Sequence, residues 1–300
     1  MKLERYFSAK MVKGYIFIII SAFIFGCQPL GAKFLYEEGV NSFSLVFLRN
    51  FLAIPILGFL TKLQGHSLKI DNNFFREISI IAIMGGCLTP ILLFSSYNYL
   101  ETGTATILHF TYPAMVVLGG CIFLHEKICG DVMVCVLVCS MGISLFYNPT
   151  KPINMHGSIL ALLSGATYAA YVLLLSKCKQ KQISGFKLNF YVALICSFIM
   201  LLIGLISKQL VFPTSFEGWI ISVLFSLFMC VIAGVLFQKG TFLIGGQRAA
   251  ILSTVEPITS ILVGFLVFQE VMEMRTAIGA FLVILASILI AFFDMLSLKE

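Results

Sequence analysis

The chain has 300 residues, is 59% hydrophobic and only 11% charged, and has a mean hydropathy of +1.01. A soluble core of this size needs far less apolar surface, so the composition marks a polytopic membrane protein and excludes a soluble globular domain. The net charge of +6 does not signal nucleic-acid binding, because Lys and Arg fall in short loops between apolar runs and form no clustered basic face.

The N-terminus carries Lys2, Arg5, Lys10 and Lys13 ahead of an apolar run from Gly14 to about Ala32. That run exceeds the ~7 to 15 residues of a signal-peptide core, and no small-x-small cleavage site follows, so it reads as a retained first transmembrane helix. Further apolar runs follow at roughly 44 to 60, 78 to 97, 104 to 124 and 132 to 147. The second half carries runs at about 157 to 176, 188 to 206, 219 to 237, 249 to 268 and 276 to 293. Most reach the ~17 to 25 residues that a hydrocarbon core requires, and none shows the alternation of barrel strands, so the fold expected is an all-α membrane protein with ten transmembrane helices.

With the N-terminus inside, the inside segments hold fifteen Lys and Arg, whereas the outside segments hold only Lys33, Lys151, Lys208 and Arg275. This positive-inside imbalance predicts cytoplasmic termini in a multi-pass plasma (inner) membrane protein. The hydrophilic segments are all too short to fold as a soluble domain, so function resides within the helices. Cys27, Cys87, Cys121, Cys135, Cys139, Cys196 and Cys230 lie within apolar runs without any Cys-x-x-Cys, and read as small apolar filler.

The stretch Ala249 to Glu270 repeats one found 144 residues earlier: Ala249, Ile251, Leu252, Pro257, Leu262, Gly264 and Glu270 fall on Ala105, Ile107, Leu108, Pro113, Leu118, Gly120 and Glu126. Gly14, Ile16 and Ser21 likewise match Gly157, Ile159 and Ser164, with Phe25 on Tyr168. The segment Tyr147 to His156, with two prolines, joins the halves, which divides the chain into repeats 1–148 and 149–300. Five spans per repeat is an odd number, so the second copy enters the membrane upside down. Inverted repeats of this kind recur in secondary transporters, with the site near the midplane.

These patterns resemble the EamA type of the drug/metabolite transporter superfamily. Each five-helix unit opens on Gly-x-(apolar) and a following Ser, here Gly14 to Gly26 and Gly157 to Ala169. Each fourth helix runs from a proline through Gly to Glu, here Pro113 to Glu126 and Pro257 to Glu270, and the second helix carries the family's Arg as Arg49. Val192 stands where the second unit would match Arg49, so the halves are not chemically equivalent. The resemblance implies a central cavity walled by the first, third, fourth, sixth, eighth and ninth helices. It also implies an exporter of a small metabolite such as an amino acid or derivative, without specifying the substrate.

Glu256 is the residue that speaks most directly of function, since a carboxylate at membrane depth costs several kcal/mol unless it faces a cavity or a partner. It reads either as a proton or cationic-substrate site or as a structural hydrogen-bond partner for backbone freed by Pro257. His109 and Tyr112 share a helical face, and their repeat counterparts are Ser253 and Glu256. His109 reads as a proton relay or as a buried histidine satisfied by a neighbour. Arg49 either holds an anionic group such as a carboxylate or snorkels to the headgroups.

Gln28 with Pro29 breaks the first helix, Tyr97 and Asn98 end the third, Tyr168 and Tyr171 share a face of the sixth, and Gln238 with Lys239 ends the eighth. The cavity that the resemblance implies would take these groups on its wall, where aromatics suit an amphipathic solute or a cation. The Gly-Gly pairs at 85 to 86, 119 to 120 and 245 to 246 read as close helix approaches or hinges.

No zincin, P-loop or dinucleotide motif is present, and no catalytic residue, metal or cofactor is expected. The expected partners are a small-molecule substrate, the lipid bilayer and protons, with the chain a monomer or homodimer. Two other classes stay open: an intramembrane enzyme using Ser253 with Glu256 or His109, and a membrane scaffold that transports nothing.

Overall fold

The computed structural model describes residues 2–100, 102–125, 130–145, 154–178, 183–268 and 274–297, and among these every regular element is helical. Helix α1 comprises Lys2–Gly26 and Gln28–Glu37; α2, Ser42–Phe51 and Ala53–Leu63; and α3, Asn72–Ile81, a π-helical turn Ala82–Leu88, and Thr89–Ser96. Thr102–His109 and Tyr112–Leu124 form α4, Gly130–Ser144 α5, Met155–Lys177 α6 and Gly185–Ser207 α7. Phe216–Ser226, a second π turn Leu227–Ala233, and Gly234–Ile244 form α8; Gly246–Leu252 and Val255–Phe268 form α9; Met274–Ser297 forms α10. Among the described residues, α1 to α4 and α6 to α8 are long and apolar enough to cross a bilayer, while α5 and Ala277–Ile290 of α10 are shorter apolar helices. Helix α3 starts earlier than its hydropathy suggests, at Asn72, and α8 continues past Gln238 and Lys239 to Ile244. Glu126 and Glu270, which close the duplicated block, lie outside the described residues.

Short polar side chains set several helix starts by accepting an otherwise orphaned backbone N–H. Asn41 Oδ1 accepts from Ser44 N at 2.9 Å, Asp71 Oδ1 from Phe74 N at 3.3 Å, Asn154 Oδ1 from Gly157 N at 3.1 Å, and Ser215 Oγ from Gly218 N at 2.9 Å. Prolines set the interior breaks. Pro257 cannot donate to Ser253 O, which instead takes Glu256 N at 2.9 Å, and α9 is interrupted at Ser253 and Thr254. Pro113 likewise frees His109 O, and α4 is interrupted at Phe110 and Thr111. A Cβ on Gly165 would lie 2.7 Å from that freed oxygen, so only glycine lets α6 pass so close.

The two π turns occupy corresponding places in α3 and α8 and loosen the i→i−4 ladder, and side chains brace carbonyls within them. Thr89 Oγ1 bonds Met84 O at 2.8 Å and Cys196 Sγ bonds Ala82 O at 3.3 Å. Asn189 Nδ2 bonds Cys230 O at 2.5 Å, and Ser21 Oγ bonds Ala233 O at 2.8 Å.

Helix α1 lies against α8 and α9, α6 against α3 and α4, α2 against α7, and α5 against α10. Polar contacts tie the connections together at two separate ends. At one, Asn41 Nδ2 donates to Gln209 O at 2.6 Å, Ser215 N donates to Glu38 at 3.3 Å, and Tyr99 meets His156 edge-on. At the other, Ser184 Oγ bonds Gln64 at 2.6 Å, Lys187 Nζ bonds Lys69 O at 2.7 Å, and Tyr191 OH bonds Leu68 O. Large apolar side chains such as Phe123, Ile206, Phe281 and Ile288 stand exposed, which suits acyl chains better than water.

Candidate functional site

The breaks and π turns converge on a cavity of about 90 Å³. Its charged and polar walls are Gln28 of α1, Arg49 and Asn50 of α2, Thr89 of α3, His109 of α4, Asn189 of α7 and Glu256 of α9. Phe25, Tyr168, Tyr171 and Phe237 add aromatic faces, and Gly85, Gly86 and Gly234 add bare backbone. Ligand pockets usually start at ~300 Å³, so a metabolite needs these walls to move apart.

Arg49 is only 9% exposed, and its guanidinium lies inside the bundle instead of reaching for headgroups. Its Nη1 donates to Gln28 Oε1 over a long 3.4 Å, its guanidinium carbon sits 5.9 Å from the Phe94 ring centroid, and its Nε has no partner. Ser226 Oγ holds the Arg49 carbonyl at 2.7 Å, fixing this stretch of α2 against α8. A cation so buried has one stretched hydrogen bond and no ion pair among the described residues, so little within the protein offsets the cost of its burial.

Glu256 is half-buried at the proline break of α9, and its carboxyl accepts no hydrogen bond among the described residues. A Cβ on Gly26 would lie 2.7 Å from Glu256 O, and Ser260 Oγ bonds Gly26 O at 2.9 Å, so α1 and α9 are in backbone contact beside the acid. The carboxyl lies near enough to act electrostatically on the hydroxyls of Tyr97, Tyr112 and Tyr168. Arg49 and Glu256 therefore face one space without pairing to each other.

His109 is buried, and its Nδ1 lies 2.8 Å from Ser164 Oγ. Its ring touches those of Phe110, Tyr112 and Tyr168 at centroid distances of 5.6, 5.4 and 5.4 Å. Tyr168 continues the aromatic stack to Tyr171 at 5.5 Å and Phe237 at 5.7 Å. Tyr171 lies flat against the backbone at Gly85, where any Cβ would collide with its ring.

The structure thus brings together Gln28, Arg49, His109, Tyr168, Tyr171 and Glu256, and keeps the other four expected residues off the cavity wall. Tyr97 is half-buried, with its ring 6.0 Å from that of Phe94. Asn98 is exposed in the turn after α3. Tyr112 is fully buried against the aromatic cluster, with its hydroxyl near Ser253 but lacking a hydrogen bond of good geometry. Gln238 backs the wall instead of forming it: its Nε2 donates to Asn189 Oδ1 at 2.6 Å, while its Oε1 stays unpartnered. Ser253 Oγ donates to Ala249 O at 2.6 Å and His109 is engaged by Ser164, so the two are not paired as nucleophile and base.

Helices α2 and α7 line the cavity in addition to the six that the family resemblance implies, and Val192, the counterpart of Arg49, lies on its wall. Asn50, Thr89 and Asn189 are polar wall residues that sequence reasoning passed over, and Asn189 was the most readable of them. The available signal was a lone amide inside the apolar run of α7, at a depth where such groups are costly unless partnered.

The sequence matches the model of the EamA-like transporter family twice, over residues 12–148 and 155–292. An uncharacterized transporter of Clostridium kluyveri is 22% identical, with 93% of each chain covered. The uncharacterized transporter YcbK of Bacillus subtilis is 26% identical over 89% of this chain and 88% of its own length. An S-adenosylmethionine uptake transporter of Rickettsia prowazekii is 22% identical over 96% of both chains. A crystal structure at 14% identity superposes with a TM-score of 0.77, covering 93% of this chain and 96% of that one, a likeness of fold.

Proposed function

Since this chain belongs to the EamA-like transporter family, we propose that it is a secondary transporter moving an amino acid or amino-acid derivative by alternating access. In this reading ten helices cross the membrane as inverted repeats, 1–148 and 149–300, with both termini in the cytoplasm. The observation that carries it is the unpaired cation Arg49 and the unpaired acid Glu256 facing one cavity. Neither charge is stable at membrane depth without a partner, and a solute bearing a carboxylate and a cation supplies both at once. Arg49 binds the carboxylate, Glu256 and His109 take the amine or couple protons, and Tyr168, Tyr171 and Phe237 shape the pocket. The relative named as an S-adenosylmethionine uptake transporter concerns a solute of this class, an amino-acid derivative carrying both charges.

The helix contacts support the repeat, because α1 with α8 and α9 corresponds to α6 with α3 and α4 under exchange of the halves. Expected sidedness and the two groups of loop contacts agree, since each polar tie joins connections on one side only. Export is the direction proposed, on the family resemblance, and uptake is the competing outcome. The test is flux of amino acids and derivatives in oriented proteoliposomes, with Arg49→Ala and Glu256→Gln. Transport unchanged in both variants removes the site assignment, and the sign of the flux decides direction.

A further inference from the structure

The proposed substrate class leaves open what kind of cation the solute carries, and a hydroxyl on α6 bears on that question. Ser164 Oγ lies 2.6 Å from Ala161 O and 2.8 Å from His109 Nδ1. A carbonyl oxygen only accepts, and a hydroxyl has a single hydrogen. At 2.6 Å from Ala161 O that hydrogen belongs on the line between the two oxygens, since without it two lone-pair atoms would face each other. The hydroxyl is then an acceptor towards the imidazole, and the proton between Ser164 and His109 resides on Nδ1. A neutral imidazole carrying its proton on Nδ1 has a bare lone pair on Nε2. The hydrogen bond of the ring among the described residues is the one at Nδ1, and His109 lines the cavity.

The fold holds this arrangement tightly. Pro113 frees His109 O, Gly165 lets α6 pass against that oxygen, and Ser164, the residue before it, meets the ring as a result. Tyr112 and Tyr168 flank the ring, and the imidazole and the Glu256 carboxyl line the same cavity. That cavity offers two acceptors, Nε2 and the carboxylate, among aromatic walls.

We propose that Ser164 is a positioning residue that fixes His109 as a hydrogen-bond acceptor, so that the cavity it lines with Glu256 selects a solute whose cation carries free N–H donors. A protonated primary amine has hydrogens for both acceptors, whereas a quaternary ammonium or a sulfonium has no hydrogen to give and leaves Nε2 unpaired. This rests on the transport reading above and narrows it.

The test uses the full chain purified in detergent. Thermal unfolding is followed against the proteinogenic amino acids and their N,N,N-trimethyl betaines. The result expected is stabilisation by at least one free amino acid, with its betaine weaker by about tenfold or more. A betaine that binds as tightly as its parent overturns the inference and leaves the transport reading standing. Stabilisation by neither class overturns both. Histidine 15N spectra provide a readout that mere packing would not move: the wild type should show a protonated Nδ1 and a bare Nε2 for His109. Ser164→Ala should disturb that pattern and weaken amine binding about tenfold, with Ser164→Thr restoring both. A wild-type spectrum with the proton on Nε2 refutes the assignment without recourse to any variant.

Discussion

Arg49→Met separates a residue that serves the solute from one that holds the bundle. Within the protein the guanidinium gains one stretched hydrogen bond to Gln28 and a loose contact with Phe94, while its Nε is unpartnered. A cation in such surroundings carries a desolvation cost of several kcal/mol that these contacts do not offset. A methionine of similar length removes the charge and keeps much of the volume, so the apparent unfolding temperature should hold or rise. Binding should respond in the opposite sense. A hydrogen bond with one charged partner contributes about 1.5 to 3 kcal/mol, so a two-pronged grip on a carboxylate is worth about 3 kcal/mol, on the order of 100-fold in affinity. Arg49→Lys keeps the charge without the planar fork and should fall between the two. Thermal unfolding and counterflow in proteoliposomes, measured on the same preparations, read both quantities. If Arg49→Met melts at lower temperature and still takes up solute at the wild-type rate, the guanidinium braces the fold and the reasoning fails.

Three further outcomes follow from the same geometry. Gly165→Ala drives a Cβ into His109 O and should cost about 1 to 3 kcal/mol, seen as earlier unfolding; an unchanged transition would mean that α4 and α6 are not in backbone contact. Asn189→Leu strips Cys230 O and Gln238 Nε2 of their bonds at the π turn of α8, and at about 1 to 3 kcal/mol for each buried orphan it should destabilise the protein by at least ~2 kcal/mol in the same assay. Gly85→Ala forces the Tyr171 ring off the backbone towards the cavity, so KM should rise by roughly threefold or more while folding persists; an unaltered KM would place Tyr171 outside the solute path.

Much of the fold was legible because helix position and helix interruption are local properties. Hydropathy located seven segments of membrane length among the ten expected, and the missing N–H of Pro113 and Pro257 located the breaks one turn away. The cost of a charge at membrane depth was enough to single out Arg49 and Glu256, since no neighbour in sequence could make either tolerable. Which way a helix faces is another matter. These helices are apolar nearly all round, because lipid and the protein interior make the same demand, so no sequence stripe marks the cavity side. The π turns compound this: each takes one more residue than an α turn and rotates everything beyond it by about 100°. Gln238 follows such a turn and lies behind the wall expected to carry it, while Asn98, also beyond one, ends up in an exposed turn. Asn189 and Ser164 acquire their roles only across helix interfaces, from a loosened carbonyl on α8 and from a histidine on α4. The sequence by itself settled where helices form and which charges cannot face lipid. Only the packed bundle decided which side chains meet, because that depends on rotations and close approaches that neighbouring helices impose on one another.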